Sequence, residues 1–104
     1  MDFQKYEVFV QPDAEVDIDK LFDSYVTMAQ DVEIANRIIN DLMKMINGLE
    51  YFPHSHPKFH GVVPETRRLI YKNFIAPFRI FEDEKVVYVT RVFHARMDYM
   101  KYYY

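Results

Sequence analysis

Three short β-prone runs lie within residues 66–96, and they constrain the fold more than any other feature of the sequence. Segments 68–71, 78–81 and 86–89 are rich in aromatic and β-branched residues, which favour strands. The polar segment 82–85 predicts a tight turn between the last two runs. We therefore expect an antiparallel meander in this half of the chain.

The first half has a different pattern. Residues 6–10 predict a strand that stops before Pro12, because proline cannot donate to a strand ladder. Two apolar stripes with helical spacing follow, and Asp31 is a candidate N-cap between them. The first stripe is Ile18, Leu21, Phe22, Tyr25, Val26, Met28 and Ala29, and the second is Ile34 or Ala35, Ile38, Ile39, Leu42, Met43, Ile46 and Leu49. The short connection predicts an antiparallel helical hairpin.

Together these elements predict one α+β domain over residues 1–104. The expected order is β-α-α-β-β-β, an antiparallel sheet with the two-helix hairpin packed on one face. Segment 52–65 holds three prolines and three histidines, and it predicts a surface loop. The ending Tyr102-Tyr103-Tyr104 is compatible with packing, stacking on a ligand, or disorder.

Charge is distributed unevenly along the chain. Residues 1–51 hold 11 acidic and 4 basic side chains, whereas residues 52–104 hold 5 acidic and 9 basic ones, within a net charge of −3. Contact with a polyanion is therefore expected of the second half. No apolar run approaches the roughly 20 residues that cross a bilayer, so we expect no membrane association and a cytoplasmic protein.

Several kinds of chemistry are disfavoured. The chain has no cysteine and only two glycines, so thiol chemistry, disulfides and phosphate-binding glycine loops are excluded. His54, His56 and His60 are candidate metal ligands, but their spacing matches no strong ligand signature. We predict no metal site and no cofactor.

Arginines recur along the predicted strands. Because side chains alternate across a strand, Arg79 should point away from Phe78 and Ile80, toward the face that the helices leave uncovered. Arginine suits phosphate because its planar donors bind two oxygens at once. RNA cleavage at such a site needs a general base, a cation and a general acid. The alternative is that these arginines simply pair with acidic residues of the first half.

Short motifs in this order resemble the RelE/ParE family of toxins from type II toxin–antitoxin, or plasmid stabilisation, systems. They are the strand at 6–10, the helical hairpin, Leu49-Glu50-Tyr51-Phe52-Pro53, the Arg67-Arg68 strand, Phe78-Arg79-Ile80-Phe81 and the ending Val92-Phe93-His94-Ala95-Arg96-Met97-Asp98. The resemblance implies a small toxin that a cognate antitoxin holds inactive. The expected assembly is a homodimer of the toxin or a hetero-oligomer with that antitoxin.

The resemblance leaves the target open. Members that are ribosome-dependent mRNA interferases use basic residues on the sheet, which implies Arg79, Arg96, His94 and Tyr99 as catalytic candidates. Arg67, Arg68 and Lys72 are then the candidates for RNA binding. ParE-like members instead inhibit DNA gyrase, and a third possibility is a non-enzymatic homologue that only binds antitoxin. Of these hypotheses, ribosome-dependent mRNA cleavage is favoured slightly over gyrase inhibition.

Overall fold

The computed structural model describes residues 5–59 and 65–95. Within them two helices precede an antiparallel hairpin and two further strands. The elements are β1 (Glu7–Val10), α1 (Pro12–Ala29), α2 (Val32–Asn47), β2 (Thr66–Tyr71), β3 (Phe74–Phe81), β4 (Val86–Val89) and β5 (Phe93–His94). Short 3-10 turns cover Gly48–Glu50 and Pro53–Ser55. The predicted order of strands and helices is confirmed, with β5 added to it.

Local chemistry sets the helix boundaries. Pro12 occupies the first position of α1, where a missing N–H is harmless, and the chain leaves the helix through Gln30 with a left-handed φ of 52°. Asp31 caps α2 as predicted, since its side chain accepts a hydrogen bond of 2.9 Å from the Glu33 N–H.

The sheet has the strand order β1-β4-β3-β2. The pairs β2–β3 and β3–β4 are antiparallel, which confirms the predicted meander and the α+β class. β1 instead runs parallel to β4, with Glu7 opposite Val86 and Val10 opposite Val89. A parallel pair needs a long connection, and here the helical hairpin forms part of it.

Pro77 interrupts the pairing on one side of β3. β4 pairs with β3 up to Phe78, and β5 pairs with the beginning of β3 at Phe74 and Ile75. Between them Thr90 donates to the Pro77 carbonyl over 3.0 Å, while proline returns no donor. The strand that neighbours β3 is therefore broken into β4 and β5.

Both helices pack on one face of the sheet. Leu42, Ile46 and Leu49 meet sheet residues such as Phe78 and Val87 in one buried cluster. Side chains alternate, so the opposite face carries the other residue set of each strand. No helix in the described part of the chain is long and apolar enough to cross a membrane.

Candidate functional site

Arg79 lies on the sheet face opposite the helices, as the alternation predicted. It stands opposite Thr66 on β2 and Tyr88 on β4. Arg68 stands opposite Pro77, two residues before Arg79 on β3, and therefore lies diagonal to Arg79. Directly opposite residues of an antiparallel pair are about 5 Å apart at Cβ and diagonal ones about 7 Å. The structure thus brings Arg68 and Arg79 together.

Aromatic rings surround these two arginines. Phe9 stacks on Tyr88 with centroids 5.6 Å apart, and Tyr88 meets the Phe81 ring edge-on at 5.3 Å. The guanidinium of Arg79 lies 5.3 Å from the Phe81 ring centre, and that of Arg68 lies 5.7 Å from the Phe59 ring centre. We call this surface the arginine–aromatic face, and it comprises Phe9, Phe59, Thr66, Arg68, Arg79, Phe81 and Tyr88.

Three buried polar atoms on this face have no hydrogen-bond partner among the described residues. They are Thr66 Oγ1, Arg68 Nε and Arg79 Nε. The Thr66 residue is only 3% exposed. An unpartnered buried donor or acceptor costs about 1–3 kcal/mol, so an anion that accepted from both arginines would recover part of that loss.

The other predicted RNA-binding residues lie elsewhere. Arg67 points to the opposite side of β2 from Arg68, and its Nη1 donates to the His56 carbonyl over 2.7 Å. Lys72 lies in the turn between β2 and β3 with a left-handed φ of 52°, at the far end of the hairpin from Arg79. It lines a cleft of about 330 Å³ together with Arg37 and Asp41 of α2.

Arg91 forms an ion pair with an acidic residue of the first half of the chain, which is the alternative that the sequence left open for the arginines. Its Nε and Nη2 donate to the two Asp17 carboxylate oxygens of α1 over 2.7 and 2.9 Å. Asp17 also accepts from the Val92 N–H over 2.9 Å, just where the strand next to β3 is broken. This contact ties α1 to the sheet.

His94 is not beside Arg79. It pairs with Phe74, and the two rings meet edge-on at 6.0 Å on the side of the sheet that faces the helices. Phe74 and Arg79 are five residues apart on β3, which corresponds to about 17 Å. The structure therefore places His94 and Arg79 on opposite faces. Arg96, Tyr99 and the terminal tyrosines lie outside the described residues.

Glu82 is the centre of a polar cluster at the start of the turn between β3 and β4. Its carboxylate accepts from Tyr6 Oη over 2.6 Å and from Lys85 Nζ, and it bonds His54 Nε2 over 2.6 Å. The Lys85, Tyr6 and His54 hydrogen bonds lower the pKa of Glu82 to about 2. The bond and charge of Glu82 raise the pKa of Lys85. Burial raises the pKa of Tyr6, and the hydrogen bond to Glu82 and its negative charge raise it further.

The described histidines of the proline-rich segment serve packing and hydrogen bonding. His56 meets the Phe78 ring edge-on at 5.7 Å, and burial, followed by the charge of Arg67, lowers its pKa. His54 belongs to the Glu82 cluster, and His60 is outside the described residues. Within residues 5–59 and 65–95 no group of three or more His, Asp or Glu side chains is arranged to hold a metal ion.

Comparison with known proteins supplies the family. The sequence matches the family model of the ParE toxin of type II toxin–antitoxin system, parDE, over residues 8–99. No curated protein sequence matches the chain significantly.

Three solved structures share the fold. The chromosomal ParDE system of P. aeruginosa has a TM-score of 0.77 at 22% identity, covering 89% of this chain and 99% of that one. The toxin–antitoxin complex RelBE2 of Mycobacterium tuberculosis has a TM-score of 0.69 at 20% identity, covering 89% and 97%. A double mutant of the E. coli toxin RelE in the free state has a TM-score of 0.54 at 13% identity, covering 95% and 93%. Since the family model spans nearly the whole sequence, this chain belongs to the ParE toxin family of type II toxin–antitoxin systems.

Proposed function

We propose that this protein is a growth-inhibiting toxin that a cognate antitoxin neutralises, and that it acts in the cytoplasm by inhibiting DNA gyrase. The observation that carries the proposal is the match to the ParE toxin model over residues 8–99. The antitoxin partner is supported by the similar folds of the ParDE system and the RelBE2 complex, each named as a toxin–antitoxin assembly.

The arrangement of the arginine–aromatic face favours binding over RNA cleavage. A general acid or base must reach its proton directly or through one water. Among the described residues, His54 contacts Glu82, His56 contacts Phe78 and His94 contacts Phe74, so none of these imidazoles lies beside Arg79. The net charge of −3 also disfavours approach to the polyanionic ribosome. We therefore favour gyrase as the target over mRNA.

Ribosome-dependent mRNA cleavage is the second candidate. Arg68 and Arg79 lie together with unpartnered Nε atoms, and guanidinium groups suit a phosphodiester transition state. In that mechanism Arg96 supplies a further cation and Tyr99 transfers a proton, since His94 lies on the opposite face of the sheet from Arg79. The antitoxin-binding homologue without toxicity is the remaining alternative, and it predicts normal growth on induced expression.

The test compares two reactions of the purified protein. Gyrase inhibition predicts loss of DNA supercoiling by purified gyrase, with mRNA left intact on programmed ribosomes. We expect Arg79→Ala to weaken the inhibition by about tenfold or more if the face binds the target, because such charged contacts contribute about 1.5–3 kcal/mol.

Arg37→Ala is the matched control, since Arg37 is an exposed arginine of α2 on the other side of the molecule. It should inhibit gyrase as the wild type does. Cleaved mRNA together with undisturbed supercoiling would contradict the gyrase proposal in favour of the interferase.

A further inference from the structure

We propose that Thr66, Arg68 and Arg79 form a receptor site for one carboxylate side chain of the antitoxin. The inference rests on the proposed function, because it identifies the chemistry by which the neutralising partner is recognised. The occupant is a short protein segment with a single acidic residue between apolar ones.

The three polar groups converge from two neighbouring strands. Thr66 is directly opposite Arg79, and Arg68 is diagonal to it. Both Nε atoms and the Thr66 hydroxyl are buried, and none has a partner in the described chain. Neither arginine forms an ion pair with a described residue, in contrast to Arg91, whose guanidinium is held by Asp17. Residues 5–59 and 65–95 thus supply no counterion for these two neighbouring cations.

The arginines are held in place before any ligand binds. Arg79 lies over the Phe81 ring and Arg68 over the Phe59 ring, and Phe59 is 5% exposed. Fixed guanidinium planes lose little conformational freedom on binding and present paired donors to a planar acceptor. A carboxylate has two oxygens in one plane, which matches this geometry.

The surroundings favour a protein segment over a nucleic acid. Two side chains on the same face are exposed and apolar, Phe9 at 44% and Ile70 at 52%, and they lie on either side of the arginines. The turn after Phe81 adds the exposed acids Asp83 and Glu84, which repel a chain of phosphates more strongly than a single carboxylate. A single carboxylate flanked by apolar residues satisfies the arginines and covers Phe9 and Ile70. A bound antitoxin would therefore cover the face through which we propose the toxin acts.

The test uses the two buried Nε–H groups as reporters. Burial slows their exchange with water, so their signals are measurable in ¹⁵N spectra of the full-length protein. The probes are acetyl-Phe-Glu-Phe-amide, the matched acetyl-Phe-Gln-Phe-amide, inorganic phosphate and a single-stranded hexauridylate. We expect the Glu peptide to shift both the Arg68 and Arg79 Nε–H signals and to bind about tenfold or more tightly than the Gln peptide.

Conservative variants separate geometry from charge. Arg68→Lys and Arg79→Lys retain the charge but lose the Nε–H and the planar fork, so each should weaken the Glu peptide about tenfold. Arg37→Lys is the control and should bind as the wild type does. The backbone amide spectrum of each variant verifies that it is folded.

Three outcomes would overturn the inference: unchanged Nε–H signals, equal binding of the Glu and Gln peptides, or tighter binding of phosphate or hexauridylate than of the Glu peptide. Because the measurement needs neither toxicity nor gyrase, it is independent of the proposed function. Peptide binding by a protein that does not inhibit growth would refute the toxin proposal alone, and growth inhibition without peptide binding would refute the carboxylate site alone.

Discussion

The contact between Asp17 and Arg91 makes the sharpest stability prediction. Asp17→Asn keeps the shape of the side chain, but it removes the charge that accepts two guanidinium hydrogen bonds and the Val92 N–H. The two side chains are 11% and 22% exposed, so solvent screens their interaction only partly. Charge-assisted hydrogen bonds contribute about 1.5–3 kcal/mol each, and disrupting a largely buried pair costs about 3–5 kcal/mol. Since Asn still accepts one bond, we expect a loss of about 3 kcal/mol.

Urea unfolding followed by circular dichroism measures this loss. For a domain of this size, about 3 kcal/mol corresponds to a decrease in Tm of about 12 °C. Asp19→Asn is the matched control, because Asp19 is exposed on the same helix and should change stability by less than about 0.5 kcal/mol. In a double-mutant cycle with Arg91→Met, the coupling should be at least about 1.5 kcal/mol. If Asp17→Asn and Asp19→Asn lost stability equally, the proposed role of this contact in holding α1 on the sheet would be wrong.

Three further stability predictions follow from named contacts. His56 has a lowered pKa in the folded protein, so the unfolded chain binds more protons and stability falls as pH decreases through 6.5. The urea midpoint, measured from pH 7.5 to 5.5, should therefore depend less steeply on pH in His56→Gln than in the wild type. An equally steep dependence in both proteins would refute this. Glu82 has a pKa of about 2 against an ordinary 4.5, so its contribution to stability is present above pH 4.5 and is lost toward pH 2. Glu82→Gln should lack this loss of stability in acid. If the stability of both proteins fell equally between pH 4.5 and pH 2, the prediction would be wrong. Leu42 is fully buried, so Leu42→Ala should destabilise by about 2–5 kcal/mol in urea, and a change below about 1 kcal/mol would be inconsistent with the core described above.

Local patterns in the sequence were sufficient for the helices and most strands. The apolar stripes predicted both helices, Asp31 was recognisable as a cap, and residues 82–85 do form the turn before β4. The prediction missed the first half of β3, where Pro77 weakened the strand signal, and it missed β5, which has only two residues. These short or interrupted strands form because their neighbours pair with them, and neighbours are not visible in a local window.

The site was predictable only in part, because strand alternation is local and register is not. Alternation placed Arg79 on the face away from Phe78. Arg67 and Arg68 were predicted together as RNA-binding residues, but they lie on opposite faces of β2. Whether His94 would lie near Arg79 depended on the pairing of β5 with the beginning of β3, which a single sequence does not encode in any short motif. The Glu82 cluster was missed for the same reason, since Tyr6 and Glu82 are 76 residues apart.

The most direct test of the central claim is the topology of a reporter plasmid in cells after induced expression of this protein. Gyrase inhibition predicts that the plasmid becomes relaxed as growth stops, that total mRNA stays intact, and that co-expression of the cognate antitoxin restores both growth and supercoiling. Normal growth with a fully supercoiled plasmid would contradict the account. Arrested growth with a supercoiled plasmid and cleaved mRNA would contradict the gyrase target.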